Sequence, residues 1–286
     1  MSSSEEKRVL ITGGAGSIGS ELVLHYVKAG WKVWALDHDD SRLAVLETKI
    51  QSDQKHRFLP VLASVRQKDE CVNSISLTRA NLVIHTAALK QVPLLEDFPK
   101  MAYQTNVVGT QNVIAACKKT DAKLVFISTD KAVDAVSVMG QTKAKSEYEV
   151  LGYEHGMVVR LPNIMWTRGA LRDLVLSSQQ TQGEVELTSA EMKRWWLEMG
   201  DGVRFIRDVA EHLETGYVYA PTLARERKVI DVIEEIGNEV GIEFMMNETK
   251  PRSGERFQES LWSAETEEAV KLDEYNCWKI SSKKSV

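Results

Sequence analysis

Over the first 165 residues, short apolar runs alternate with longer segments of helical periodicity. Parallel strands need long crossover connections, which are usually helices. The alternation therefore predicts an α/β fold: a doubly wound parallel sheet covered by helices on both faces. The six apolar runs are Arg8–Thr12, Lys32–Leu36, Arg57–Leu62, Leu82–His85, Leu124–Ser128 and Met157–Leu161. Helices are predicted at Ser20–Ala29, Ser41–Gln51, Met101–Lys119 and Met139–Leu151.

Polar and glycine-rich clusters follow these runs, just after Thr12, Asp37, Ala87, Ser128 and Leu161. The carboxyl ends of parallel strands meet at one edge of a sheet, where α/β proteins bind their ligands. We therefore expect the functional site along this edge.

The pattern becomes less regular after residue 165, where Val229–Val240 is the clearest amphipathic helix. We predict one domain over residues 1–165, with its core at 8–165. Residues 166–286 are predicted to form mainly a smaller substrate-binding lobe, some segments of which return to the core of the first domain. The tail from Thr266 is polar and is expected to fray.

The composition argues against several classes of protein. Lys and Arg number 36 against 41 Asp and Glu, and the net charge of −5 is atypical of nucleic-acid-binding proteins. No apolar run reaches the roughly 20 residues of a membrane helix, and MSSSEEKR is too polar for a signal peptide. Cys71, Cys117 and Cys277 have the spacing of neither a disulfide framework nor a metal site. We therefore expect a cytoplasmic protein without nucleic acid, bound metal or membrane insertion.

A glycine-rich turn follows the first predicted strand and opens the first helix. Gly13, Gly16 and Gly19 have GxxGxxG spacing, with Ser17 and Ile18 between the last two. Such glycines let a pyrophosphate approach the backbone, and the helix N-terminus offers free N–H groups and a favourable dipole. A turn that serves only the fold is the alternative interpretation. The flanking strand and helix, and an acid at the end of the next strand, favour a dinucleotide site.

That acid is Asp37, which comes 18 residues after Gly19. A carboxylate there accepts hydrogen bonds from both hydroxyls of the adenosine ribose and repels a 2′-phosphate. Asp37 therefore favours NAD over NADP, although His38 and Arg42 nearby leave NADP open. An ordinary solvated turn acid is the alternative interpretation.

Longer motifs along the chain match one known family. HTAALKQVPLLE (85–96) is close to HxAALKQVPxxE, and STDKAVDAVSVMGQTK (128–143) is close to STDKAxxPxNxMGxTK. TNVVGTQN, NIMWTRG, EMKR and RSGER also match, so the similarity extends from about residue 8 to 260. The chain thus resembles the extended short-chain dehydrogenase/reductases. Within them it is similar to the UDP-N-acetylglucosamine 4,6-dehydratases of polysaccharide biosynthesis.

The resemblance implies a Rossmann fold that binds NAD or NADP and a UDP-sugar. It implies oxidation of the sugar at C4 by hydride transfer, loss of the C5 proton, departure of the C6 hydroxyl as water, and hydride return to C6. The product would be a 4-keto-6-deoxy sugar, and some relatives also invert C5.

The resemblance also implies roles for residues after the fifth strand. Asp130 would protonate the departing C6 oxygen, and Lys131 would be the base at C5. Thr129 would hydrogen-bond the C4 oxygen. Lys143 would hydrogen-bond the nicotinamide ribose and place positive charge near the same oxygen. A lysine base must be partly neutral, so we expect burial or a nearby cation to lower the pKa of Lys131.

Met139 stands where most short-chain dehydrogenases carry the tyrosine of YxxxK. Methionine also occurs there in the membrane-associated and epimerising branches of this dehydratase group, so Met139 joins the candidate catalytic set. A thioether takes no proton. The acceptor of the C4-hydroxyl proton would then be Lys131, or water relayed through Thr129 and Lys143.

Two sets of candidate binding residues follow from the glycine turn and the resemblance. The cofactor set is Gly13, Gly16, Ser17, Ile18, Gly19, Asp37, Ala87, Lys90, Asn106 and Lys143. The UDP-sugar set is Lys90, Asn163, Arg168, Arg194, Arg252 and Glu255. Arginine suits a diphosphate because its fork binds phosphate oxygens bidentately, and Glu255 would hold one of the arginines in place. Solvated surface side chains, and a helix cap at Asn106, are the alternative interpretations.

Two other functions stay open. A nucleotide-sugar epimerase of the same fold would need the tyrosine that Met139 replaces and would not need Asp130 and Lys131. A non-catalytic NAD-binding regulatory protein would work without Lys131. The resemblance further implies a homo-oligomer, dimer or higher, in which the helices at Met101–Lys119 and Met139–Leu151 form the dimer interface.

Overall fold

A nine-stranded sheet forms the centre of the computed structural model, which describes residues 6–169, 171–180, 183–249 and 255–283. Its first six strands are β1 (Arg8–Thr12), β2 (Lys32–Asp37), β3 (Phe58–Leu62), β4 (Leu82–His85), β5 (Lys123–Thr129) and β6 (Gly156–Leu161). These strands are parallel and lie in the order β3-β2-β1-β4-β5-β6. Each agrees with one predicted run to within one residue at either end. The predicted Rossmann-type α/β fold is confirmed.

Helices connect these strands: α1 (Ser17–Lys28), α2 (Asp40–Thr48), α3 (Lys68–Thr78), α4 (Val92–Asp97), α5 (Pro99–Ala102), α6 (Gly109–Thr120) and α7 (Val138–Leu151). A π-helical segment, Tyr103–Val108, joins α5 to α6, so the chain is helical from Pro99 to Thr120. The sequence did not predict α3. The buried stripe of α3 is narrow, and one of its large apolar side chains, Leu77, is 84% exposed. The amphipathic signal of this segment is therefore weak.

The second half adds β7 (Asn163–Ile164), α8 (Leu171–Ser178), β8 (Glu184–Leu187), β9 (Lys193–Leu197), α9 (Met199–His212), β10 (Val218–Pro221), β11 (Arg225–Lys228), α10 (Val229–Val240), β12 (Met245–Glu248), β13 (Glu267–Leu272) and β14 (Cys277–Ser282). Strand β10 extends the main sheet in parallel beside β6. Strands β7, β9 and β11 form a small sheet, and β8 pairs with β12. In α10, the predicted apolar stripe is buried at Val229, Val232, Ile233 and Ile236.

The expectation that the tail from Thr266 frays is wrong for Glu267–Ser282. Strands β13 and β14 form an antiparallel hairpin on the edge of the main sheet, beside β10. One face of such an edge hairpin is solvated, so its strands contain many polar residues. Cys277 and Ile280 nevertheless lie in the core at 0% and 1% exposure.

The sheet separates two apolar cores, and a third apolar cluster lies around α10, β8 and β9. Because the parallel strands are in register, their carboxyl ends share one edge of the sheet. Within the described parts of the chain, no helix combines the length and the apolar composition that crossing a bilayer requires.

Candidate active site

The turn between β1 and α1 is packed so closely that side chains are excluded from it. Gly13 has a φ of +64°, and a Cβ there would lie 2.8 Å from the backbone of Ala87. A Cβ on Gly19 would overlap the carbonyl oxygen of Gly13. The turn therefore leaves the backbone N–H groups at the start of α1 open to an anion.

Asp37 ends β2 beside this turn. It is 8% exposed, and its Oδ2 accepts a hydrogen bond of 3.1 Å from the backbone N–H of Ala15. Its Oδ1 accepts from the backbone N–H of Asp39 and lies 3.2 Å from Nδ1 of His38. The carboxylate is thus fixed in position next to the glycine turn, rather than free in solvent.

A cavity of about 560 Å³ extends along the carboxyl edge of the sheet, which is a volume typical of small-molecule sites. The glycine cradle, the helix N-terminus and the acid at the end of β2 fit the pyrophosphate and ribose of a nicotinamide dinucleotide. Eight predicted cofactor residues line the cavity: Gly13, Gly16, Ser17, Ile18, Gly19, Asp37, Ala87 and Lys90.

Asn106, also assigned to the cofactor, supports the cavity from behind. It is 1% exposed and lies in the π-helical segment. Its Oδ1 accepts from the N–H of Leu89 at 2.8 Å, and its Nδ2 donates to the Leu89 carbonyl and to Oγ1 of Thr142. The structure places Asn106 as a brace for the loop that carries Ala87 and Lys90.

Arg168 lies on the glycine turn. Its Nη2 donates to the Ala15 carbonyl at 2.5 Å, and its backbone N–H donates to Oγ of Ser17 at 3.0 Å. Lys90 lines the same cavity, and burial, followed by the charge of Arg168, lowers its pKa. Lys90 and Arg168 therefore both face this cavity, as do Arg42 and Arg66, and such cations suit a phosphate of the cofactor or of the substrate.

Thr129, Asp130 and Lys131 form a connected group after β5. Thr129 Oγ1 donates to Asp130 Oδ1 at 2.8 Å, and Lys131 Nζ lies 3.1 Å from the same oxygen. Nζ also donates to Oδ1 of Asn163 at 3.4 Å and to Oε2 of Glu259 at 2.8 Å. Asp130 is 1% exposed, so the pair is not the surface ion pair that the dipeptide alone would suggest.

The expected lowering of the pKa of Lys131 is wrong in this structure. Burial by itself lowers that pKa, but the carboxylates of Asp130 and Glu259 outweigh burial and raise it above its ordinary value. The side chain is an ammonium whose three N–H groups have three acceptors.

Lys143 extends from α7 to β5. Its Nζ donates to the carbonyl oxygen of Ile127 at 2.7 Å and lies 4.4 Å from the centre of the Phe126 ring. Burial lowers the pKa of Lys143 to about 7. Ile127 lines the cavity, but Lys143 itself, which is 5% exposed, is not among the lining residues.

Met139 is 3% exposed and packs in an apolar cluster with Leu95 and Ala102. A thioether is compatible with this environment, whereas a phenol hydroxyl would need a hydrogen-bond partner there.

The predicted substrate residues are distributed over several places. Asn163 contacts Lys131, and Arg168 lies on the glycine turn, as described above. Glu255 accepts a hydrogen bond of 2.6 Å from Thr188. Arg194 is 8% exposed and donates to the carbonyls of Lys193, Arg256 and Phe257. Arg252 lies outside the described residues.

Glu259 is a site residue that sequence analysis missed. It is 7% exposed, and it contacts Lys131, which is 128 positions away along the chain. Its only sequence signal is its place three residues after the RSGER motif, which does not distinguish it from the other acids nearby.

Comparisons with known proteins agree with this fold. The family model described as polysaccharide biosynthesis protein matches residues 9–279. The chain is 33% identical over 273 residues to the uncharacterized membrane protein MJ1061 of Methanocaldococcus jannaschii, with 90% of this chain and 80% of that protein covered. It is 30% identical to a UDP-glucose 4-epimerase of Rickettsia canadensis, with 91% and 79% covered.

A third relative is longer than this chain. The capsular polysaccharide biosynthesis protein CapD of Staphylococcus aureus is 29% identical over 272 residues, which are 89% of this chain and 45% of that protein. The match thus spans less than half of the staphylococcal protein.

Solved structures share the fold at lower identity. Pen from Bacillus thuringiensis superposes with a TM-score of 0.86 at 23% identity, covering 96% of this chain and 89% of that one. DesIV, a dTDP-glucose 4,6-dehydratase of Streptomyces venezuelae, superposes with a TM-score of 0.75 at 20% identity, covering 88% and 87%. The chain belongs to the polysaccharide biosynthesis protein family and has the fold of the extended short-chain dehydrogenase/reductases.

Proposed function

We propose that this protein is a nucleotide-sugar 4,6-dehydratase that converts UDP-N-acetylglucosamine, or a close UDP-sugar, to a 4-keto-6-deoxy sugar, with retention or inversion at C5. The observation that carries the proposal is the hydrogen-bonded Thr129–Asp130–Lys131 group at the end of β5, in which Asp130 is buried. Thr129 is the last residue of β5, the strand that also contributes Ile127 to the cavity beside the glycine turn. The family and the dehydratases and epimerases among the similar proteins support nucleotide-sugar chemistry in general.

The cofactor would lie against the glycine turn, with Gly13, Gly16 and Gly19 at its pyrophosphate and Asp37 at its adenosine ribose. When bound, a nicotinamide cofactor supplies the hydride acceptor for C4 and the hydride donor for C6. We propose NAD rather than NADP, because the fixed carboxylate of Asp37 would repel a 2′-phosphate. Arg42, the nearby arginine, already lies 3.0 Å from Asp39.

The elimination of water needs an acid and a base. Asp130 would donate its proton to the C6 oxygen as the C6–O bond breaks. Lys131, as a neutral amine, would take the C5 proton, and the C5–H electron pair would form the C5–C6 double bond. This step leaves Asp130 negative and Lys131 positive, which is the ion pair seen here at 3.1 Å. The observed charge state therefore corresponds to the site after elimination.

The C4-hydroxyl proton needs a different acceptor, since Met139 takes none. A pKa of about 7 makes Lys143 partly neutral near physiological pH, so it can accept a proton that water relays through Thr129. This arrangement favours Lys143 over Lys131, whose raised pKa keeps it charged.

An epimerase is the second candidate, because several rickettsial relatives are named UDP-glucose 4-epimerase. Such an enzyme would invert C4 and release no water. It would leave the roles of Asp130 and Lys131 unexplained.

The implied homo-oligomer also stays a proposal. Helices α6 and α7 pack side by side, and their outer surface includes Tyr148, which is 80% exposed. This surface is the one that a four-helix dimer interface would cover.

Incubation with UDP-N-acetylglucosamine and NAD in deuterated water tests the proposed function. We expect loss of one water by mass spectrometry, a new C6 methyl group by NMR and deuterium at C5, whose configuration reports retention or inversion. Lys131→Ala should abolish all three while keeping NAD affinity. C4 inversion without loss of water would support the epimerase. Unchanged sugar, with Lys131→Ala indistinguishable from wild type, would contradict both for this substrate.

A further inference from the structure

Glu259 reaches the site from a distant part of the chain. The residues before it, Arg256 and Phe257, are held by Arg194 on β9, whose Nη2 and Nη1 donate to their carbonyl oxygens at 2.6 and 3.1 Å. Trp195 Nε1 donates to the carbonyl of Glu259 itself at 3.1 Å. Adjacent side chains of one strand therefore fix the backbone that carries Glu259.

The carboxylate of Glu259 bridges two cations. Its Oε2 lies 2.8 Å from Nζ of Lys131, and its Oε1 lies 3.5 Å from Nε of Arg194. The Glu259 and Arg194 side chains are only 6% and 9% exposed, so solvent screens these contacts little. Four contacts to the polypeptide also occupy the guanidinium of Arg194, which suits an anchor for this segment better than a free diphosphate ligand.

We propose that Glu259 is a positioning residue for Lys131: it holds Nζ beside Asp130 and stabilises the ammonium that forms when Lys131 takes a proton. This inference rests on the proposed function for its catalytic meaning. Within the described residues, the charged groups that face Lys131 are Asp130 on its own turn and Glu259 on the C-terminal segment, with Arg194 behind Glu259.

The contact between Glu259 and Lys131 would stabilise the charges that develop during the elimination. As Lys131 removes the C5 proton, positive charge develops on Nζ while Asp130 becomes negative by protonating the leaving oxygen. A carboxylate already placed 2.8 Å from Nζ stabilises that developing charge without reorganisation. Asp130 cannot do so at the start of the step, because it must then be protonated.

The pKa of Lys131 in Glu259→Gln tests the inference without any substrate. Trace acetylation with acetic anhydride across a pH series, followed by mass spectrometry of the Lys131 peptide, measures this pKa because only the neutral amine reacts. We expect the midpoint to fall by about one unit or more in Glu259→Gln, a tenfold change in proton affinity. The Lys131 midpoint in Glu259→Asp should lie between those of Glu259→Gln and the wild type. Glu268→Gln, at an exposed position of β13, should change nothing.

Equal midpoints in the wild type and in folded Glu259→Gln would overturn the inference. If Glu259→Gln does not fold, the acetylation midpoints of the wild type provide the test. A Lys131 midpoint no higher than that of exposed Lys49 would overturn the inference.

The pH profile of C5 deuterium exchange separates this inference from the proposed function. In Glu259→Gln, the limb that rises with pH should move to lower pH by about the same amount as the acetylation midpoint, because the base loses its proton more readily. A shifted midpoint with no reaction of UDP-N-acetylglucosamine in either protein would contradict the proposed function and keep the electrostatic role of Glu259. Reaction in both proteins, with neither midpoint nor limb moved, would contradict the role of Glu259 alone.

Discussion

At the residue scale, two lysines of the candidate site have opposite pKa shifts, although burial lowers the pKa of both. Lys143 donates to a carbonyl oxygen, and burial lowers its pKa to about 7. Lys131 contacts the carboxylates of Asp130 and Glu259, which raise its pKa. The neighbouring atoms, rather than the residue type, therefore decide which lysine is charged at neutral pH. The sequence identified both lysines and the adjacent Asp130 as candidates, but it contained no sign that Glu259 would face Lys131.

The lowered pKa of Lys143 predicts a pH-dependent stability. The folded-state pKa is about 7 and the ordinary value is 10.5, so between these pH values the unfolded chain binds the extra proton. This lysine's contribution to the free energy of unfolding should thus rise with pH by up to about 1.4 kcal/mol per unit. Urea denaturation at pH 7, 8 and 9 should show the wild type gaining stability relative to Lys143→Met. If the free energies of unfolding of the two proteins changed equally with pH, the lowered pKa of Lys143 would be contradicted.

At the element scale, the π-helical segment within the helix from Pro99 to Thr120 positions one side chain. π-Helical turns often occur at functional sites. Here the segment holds Asn106, which pairs with both backbone groups of Leu89, while its own carbonyl accepts from Thr110 and Ser146. The sequence predicted a helix at this place and included Asn106 in the candidate cofactor set. The local widening and the identity of the braced residue depend on the packing of α7 and the β4 loop.

Removing this brace should weaken both the loop and the cofactor site. Asn106→Ala leaves the N–H and the carbonyl of Leu89 without their protein partner, and we expect a loss of about 2 kcal/mol in the free energy of unfolding. NAD affinity should fall as well, because Ala87 and Lys90 lie on the same loop. Lys119→Ala, at an exposed position of α6, is the control and should stay within about 0.5 kcal/mol of wild type. Chemical denaturation and NAD titration of both variants would check this, and equal behaviour would contradict the brace.

At the scale of the whole molecule, the C-terminal region adds two strands to the main sheet. The hairpin of β13 and β14 forms one edge of the sheet, and the segment before it carries Glu259 into the site. Arg160 of β6 links this region to α7, since its Nη2 lies 2.6 Å from Glu147 of α7 and 2.8 Å from Glu267 of β13. All three side chains are at most 14% exposed.

This buried triad predicts a large effect of one substitution. Arg160→Met leaves two carboxylates in the interior without their cation, so we expect a loss of about 3–5 kcal/mol in the free energy of unfolding. Arg204→Met removes an arginine from an ion pair with Asp201 that is 62% and 36% exposed, and should stay within about 0.5 kcal/mol of wild type. Thermal and urea unfolding compare the two. A small effect of Arg160→Met would show that the hairpin does not depend on this triad.

The sequence by itself determined the parallel sheet, the glycine turn, the acid at the end of β2 and the group after β5. These features depend on local periodicity and on residue types within short motifs, which can be recognised before the fold is known. Tertiary structure alone decided the docking of the β13–β14 hairpin on the edge of the sheet, the position of Arg168 on the glycine turn, and the contact of Glu259 with Lys131. Each of these joins positions more than 50 residues apart, such as the 128 between Lys131 and Glu259. The charge of Lys131 follows from such a contact, because its burial and the approach of Glu259 exist only once the chain has folded.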